Sequence, residues 1–345
     1  MQFLKSLMGR RMLKTGLAVF VTAYVCQWLD IPAVFAVMTA IVTIEPTVQD
    51  SLKKGLIRFP ASAIGSFYAA TFFHFFQISP FSYAFATLFT IVTCYKLKLF
   101  DGLLVATLTS VAMVYVIEGS PVDAFFVRLL TTTIGLSVST LVNFIVFPPN
   151  YLKQINTKMD EVLKLASIDL AVFSDSLRHR ELENIQAKSK KVFDTFQEHL
   201  LKVESLIINQ QKESRYHTQL YKKKANIDIE VKQLHMVKRM HYHIGNLTMP
   251  LHTNLEWDEA THQQITTIVD ELSMVLNDPD HFELDCLKHH LKTLNHTFSQ
   301  SAKREVTLVE YLHAETVVLY ELIQLTELMV YYFTLEKAED ALTGN

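Results

Sequence analysis

EPTVQDSLKKGLIRFPASAIGSF, residues 45–67, sets Glu45, Pro46 and the basic residues Lys53, Lys54 and Arg58 between two apolar runs. Those runs, residues 31–44 and 59–76, read as helices, so the charged stretch reads as the connection of a helical hairpin. Outward from it, further apolar runs cover residues 13–29, 80–95, 103–117 and 124–147. Several fall short of the roughly 20 residues that a helix needs to cross a bilayer. Flanking turns and local bilayer thinning would supply the missing length. The expectation is an all-α chain in which residues 1–150 form a six-span transmembrane helical domain and residues 151–345 a cytoplasmic helical bundle.

Charge divides the chain at the same place. Residues 1–150 carry ten Lys and Arg against six Asp and Glu, whereas the remainder carries twenty-two against twenty-nine and thirteen of the fourteen histidines. Pro148-Pro149 marks the change. Lys5, Arg10, Arg11 and Lys14 precede the first run, Lys53, Lys54 and Arg58 lie between the second and third, and Lys96 and Lys98 between the fourth and fifth. Basic residues thus fall on alternate connections, which under the positive-inside rule predicts a multi-pass cell-membrane protein with both termini cytoplasmic. Arg128, just inside the last run, is the exception, and its long stem is expected to snorkel to the interface.

Small and polar residues organise two of the runs. Ala61, Gly65 and Ala69 recur every fourth position, a spacing that lets helices approach closely. Thr132, Gly135, Ser139 and Asn143 form a polar stripe at three-to-four spacing, which serves either helix packing or a substrate path. Glu45 is within reach of the Lys53, Lys54 and Arg58 cluster. That cluster is read either as a structural ion pair with lipid anchoring or as recognition and gating of an anionic substrate.

The spacing of Pro46, Lys53-Lys54, Arg58 and Gly65, with six, three and six residues between them, resembles the aromatic acid exporter and fusaric acid resistance-like superfamily. Within it, the six-run half followed by a helical half is similar to a small Gram-positive bacterial group. The resemblance implies a membrane protein that exports aromatic carboxylic acids. It also implies that Arg58 and Lys54 meet a substrate carboxylate and that Pro46 bends the hairpin. Many relatives carry a glycine soon after the arginine, where this chain reads RFPASAIG.

From Tyr151 onward the apolar pattern becomes periodic. Ile155, Met159, Val162, Ala166, Leu170, Phe173 and Leu177 trace one helix face, and similar patterns over 185–208, 216–244, 257–276 and 308–333 predict a bundle of four or five helices. His235, His241, His243, His252 and the pair His289-His290 read as solvated or capping residues. His241 and His243, two apart on a helix, point away from each other and do not chelate together. Cys26, Cys94 and Cys286 form no CxxC pair, so neither a disulfide nor a metal centre is expected. The basic run with Lys222, Lys223, Lys224, Lys232, Lys238 and Arg239 is a solvated face or a contact for anionic lipid.

No catalytic triad, paired-carboxylate motif, phosphate-binding loop or nucleic-acid module stands out, so an enzyme, a cofactor and a nucleic-acid partner are not expected. The leading functional expectation is an exporter or permease of small organic anions, with the lipid bilayer as partner and a homo-oligomer, such as a dimer, as the working assembly. Glu45 and Glu118 are the candidates for proton coupling. The alternative is a non-transporting membrane scaffold or stress sensor acting through its helical bundle.

Overall fold

The computed structural model describes residues 10–117, 119–146, 148–181, 184–216, 224–249, 255–279, 282–304 and 313–343. Lys5, Glu118, Lys222, Lys223 and His252 lie outside these residues. Among the described residues the regular structure is entirely helical. The chain divides into two compact units, Met1–Pro149 with Lys212–Leu220, and Asn150–Gln211 with Tyr221–Asn345.

The first unit contains α1 (Arg10–Trp28), α2 (Val34–Thr43), α3 (Val48–Phe76), α4 (Pro80–Lys96), α5 (Leu103–Val116) and α6 (Pro121–Ile145). Local chemistry starts these helices where it should. Thr47 caps α3 by accepting the Asp50 amide at 3.1 Å. Ser79 and Ser120 cap α4 and α6, each followed by a proline whose missing N–H is harmless in a first turn. Helix α3 packs on α4, α5 and α6, while α6 also packs on α1 and α2. Ala61, Gly65 and Ala69 all lie on the buried face of α3. A Cβ added to Gly65 would overlap the Ala106 carbonyl oxygen of α5, and one at Gly135 of α6 would overlap the Ala36 carbonyl oxygen of α2. Glycine is needed at both places because two backbones touch there.

The six-span expectation is overturned. Among the described residues one helix, Pro121–Ile145, is long and apolar enough to cross a membrane. Val34–Thr43 has ten residues, which at about 1.5 Å per residue is half the thickness of a hydrocarbon core. The apolar helix around 103–116 is also short. Helix α1 opens on Arg10, Arg11 and Lys14, and α3 carries Asp50, Lys53, Lys54 and Arg58 followed by interspersed serines and His74. Charge and hydroxyl content therefore disqualify segments whose apolar residues alone looked sufficient. The multi-pass cell-membrane location with both termini cytoplasmic, which rested on six spans, falls with them.

The second unit contains α7 (Leu152–His179), most of α8 (Ile185–Ser214), α9 (Lys224–Leu247), α10 (Glu259–Asn277), α11 (Leu284–Arg304) and α12 (Ala314–Thr343). The periodic face of α7, from Ile155 to Leu177, is buried in one core with Phe196, Val237, Met240, Leu272, Leu294, Leu322 and Phe333 from the other helices. Among the described residues the bundle has six helices, one more than the upper expectation of five: α11 was not expected. Its apolar positions, Leu287, Leu291, Leu294 and Phe298, recur at three-to-four spacing and form a sharply amphipathic face, although the lysines and histidines between them make the segment polar on average. Hydroxyl groups pin the helices together. Ser167 meets Ser273 at 3.3 Å, Ser174 donates to Asp270 at 2.5 Å, and Ser189 donates to Asp169 at 2.5 Å.

Candidate functional site

Residues 44–47 turn the chain from α2 into α3 and place Glu45 beside its hairpin partners. The Glu45 carboxylate accepts from Arg58 at 2.7 Å and from Lys54 at 3.1 Å. Burial pushes its pKa up, but the hydrogen bonds and charges of Arg58 and Lys54 outweigh burial and hold it below the ordinary carboxylate value. Arg58 is fastened on every nitrogen. Its Nη1 donates to the Val42 carbonyl at 2.9 Å, its Nε to the Asp101 carbonyl at 3.3 Å, and its Nη2 to Glu45. This arginine therefore ties the end of α2 and the turn before α5 to α3, with its charge neutralised by Glu45. Pro46 sits within the same connection, between Glu45 and the Thr47 cap.

Asn143, near the end of α6, extends the cluster. Its side-chain nitrogen donates to Ser51 at 2.8 Å and to the Glu45 carbonyl at 3.2 Å, while its oxygen accepts from the buried Lys14 amine at 2.8 Å. Four helices thus meet in one polar network around the connection that the sequence singled out.

The polar stripe of α6 serves more than one centre. Thr132 is near Ser62, whose hydroxyl lies 3.4 Å from Thr132 and 3.4 Å from Thr109. Ser139 donates back to the Gly135 carbonyl at 2.7 Å, so it serves its own helix. The four stripe residues are all buried, but they do not line the groove of about 620 Å3 between α3 and α6. That groove is formed by the neighbouring faces, with Leu52, Leu56, Phe59, Leu136 and Phe144 as its apolar lining and Ser51, Ser137 and Thr140 as hydroxyls. The groove is mainly apolar and open to its surroundings.

Arg128 is the feature that the sequence reading misplaced. It does not snorkel: it is 3 % exposed, and its guanidinium carbon stands 4.5 Å from the centre of the Phe35 ring. Its Nη2 donates to Thr109 at 2.6 Å and its Nη1 to the Phe35 carbonyl at 3.4 Å, whereas Nε has no acceptor among the described residues. The signal was available in the spacing, because Arg128 precedes Thr132, Gly135, Ser139 and Asn143 on the same three-to-four stripe.

In the second unit the histidines take separate partners. His241 stacks on Phe193 with ring centres 3.9 Å apart, and His243 meets Glu321 at 2.5 Å. One mixed group can offer metal ligands: Glu271, Cys286 and His290 have donor atoms within 4.8 Å of one another.

The first unit is a set of packed helices with a buried ion-paired connection between α2 and α3. Residues 6–146 match the family described as aromatic acid exporter family member 1. A UPF0421 protein of Oceanobacillus iheyensis is 42% identical over 334 residues, 96% of each chain. A UPF0421 protein of Bacillus cereus is 35% identical over 331 residues, 94% of this chain and 92% of that one. One from Staphylococcus saprophyticus is 36% identical over 318 residues, 88% and 93%. The chain belongs to the UPF0421 family, within the aromatic acid exporter group. Membership of this transporter-like family is consistent with a non-catalytic role.

Proposed function

We propose that this protein transports small organic anions, with aromatic carboxylates as the class to test first, and that Arg128 is the cation they meet. The observation that carries this reading is the contrast between the two buried arginines. Arg58 is neutralised by Glu45, whereas Arg128 has two neutral acceptors, an aromatic face and no carboxylate partner among the described residues. A buried charge without a counter-charge costs several kcal/mol. An anion that reaches Arg128 would offset that cost, and Thr109 offers a neighbouring hydroxyl. The Phe35 ring beside the guanidinium offers an aromatic face next to the same cation.

In this reading Glu45, Lys54 and Arg58 gate rather than bind. A carboxylate competing with Glu45 for Arg58 would loosen the connection at Pro46. The exposed side chains of Phe20, Trp28, Leu56 and Phe75 support contact of the first unit with lipid. The test is accumulation of labelled aromatic and aliphatic carboxylates in cells lacking the protein, carrying it, or carrying Arg128→Gln at matched protein levels. The expected result is lower accumulation with the wild type, restored by the substitution. Equal accumulation in all three across a broad acid panel would overturn the proposal.

A further inference from the structure

We propose that Glu271, Cys286 and His290 form a binding site for one thiophilic divalent cation of the zinc type, clipping α10 to α11. Cys286 and His290 stand four residues apart on α11, so their side chains share one helix face, and Glu271 reaches them from α10. The three donors supply one sulfur, one imidazole nitrogen and one carboxylate oxygen. That set suits zinc and is poorly matched to magnesium or calcium, which take oxygen ligands.

The spacing fits with one small adjustment. Zinc bonds of about 2.0–2.3 Å at tetrahedral angles put donor atoms about 3.4–3.6 Å apart. Cys286 Sγ is 3.2 Å from His290 Nε2 and 3.7 Å from Glu271 Oε2. His290 Nε2 and Glu271 Oε2 are 2.5 Å apart, as an ion pair would hold them. They must therefore separate by about 1 Å to admit the ion. Glu271 is the group free to move, since its side chain is 37% exposed while that of His290 is 10% exposed. Exposure of Cys286 leaves the fourth position to water. Burial and the negative charges of Glu271 and Glu283 push the thiol pKa up. Cation binding reverses that electrostatic balance and releases the thiol proton to solvent.

The test uses the purified full-length chain, stripped by chelator and titrated with Zn2+ and, in parallel, with Co2+ as a spectroscopic stand-in. The expected result is one cation per chain and a thiolate-to-cobalt charge-transfer band. Cys286→Ser should abolish the band and weaken Zn2+ binding by at least the roughly 10–100-fold seen on losing outer-sphere partners. Cys26→Ser and Cys94→Ser, at buried positions in the other unit, should leave both readouts unchanged. Glu271→Gln, at a partly exposed side chain, provides a second variant should Cys286→Ser fail to fold, and it should weaken Zn2+ binding by a similar factor. Absence of stoichiometric binding, a cobalt complex without the thiolate band, or Zn2+ affinity unchanged in either folded variant would overturn the proposal.

Discussion

Asp169 offers a quantitative test of the second unit. Its carboxyl is fully buried on α7, with one oxygen accepting from Ser189 and the other without a partner among the described residues. Burial pushes its pKa from the ordinary 3.8 to about 6, against the opposing pull of the Ser189 hydrogen bond. Because the folded value is the higher one, the group's stabilisation is fully present below the unfolded pKa and is lost as pH rises through the folded one. The shift of about 2 units corresponds to about 3 kcal/mol, of which about 2 kcal/mol falls between about pH 4.5 and about pH 8. Asp169→Asn removes the titration but leaves an amide where an oxygen lacked a partner, an offset of about 1–3 kcal/mol that does not vary with pH. The prediction therefore concerns the pH dependence rather than the absolute stability. In a Trp28→Phe background, Trp257 is the only tryptophan left and reports on the second unit. Urea unfolding followed by its fluorescence should show Asp169→Asn gaining about 2 kcal/mol on the parent between the acidic and alkaline conditions. Parallel pH profiles for the two proteins would refute the assignment of this shift to Asp169.

Four other substitutions probe separate contacts. Glu45→Gln should destabilise the first unit by about 3–5 kcal/mol, because it strands the buried Arg58 charge. Lys54→Met, at a third-exposed side chain, should cost less than about 1 kcal/mol, and equal losses measured by thermal unfolding would contradict the division of roles. Gly65→Ala should cost about 1–3 kcal/mol by driving α3 from the Ala106 carbonyl, and an unchanged melting temperature would show that the helices do not touch there. Burial pulls the His241 pKa down, with only partial opposition from the Phe193 carbonyl. Stability held above the ordinary value of 6.5 is then lost as pH falls through the lower folded value, and His241→Phe should flatten that acid limb in the Trp257 assay.

The sequence alone determined that this is a helical protein, because helix periodicity is local in the chain, and the Pro46-to-Gly65 spacing carried its resemblance to the aromatic acid exporter group. It also drew attention to Glu45, Lys54 and Arg58, which lie in the connection and first turns of α3 and so can be judged from short separations. The number of membrane-crossing helices was misread because some apolar runs fold into helices too short to span, such as α2 and α5, and others, such as α1 and α3, carry charges and hydroxyls within the helix. Helix α11 was overlooked although the three-to-four spacing of Leu287, Leu291, Leu294 and Phe298 was legible, because the polar residues between them lower the hydropathy of the segment as a whole. Only the tertiary structure decided that Arg128 points inward to Thr109 and Phe35, that Asn143 joins Lys14 to the Glu45 connection, and that Glu271 reaches Cys286 and His290. Each of these depends on which face of one helix meets another, and that is set by packing between segments far apart in sequence, where no single stretch carries the information.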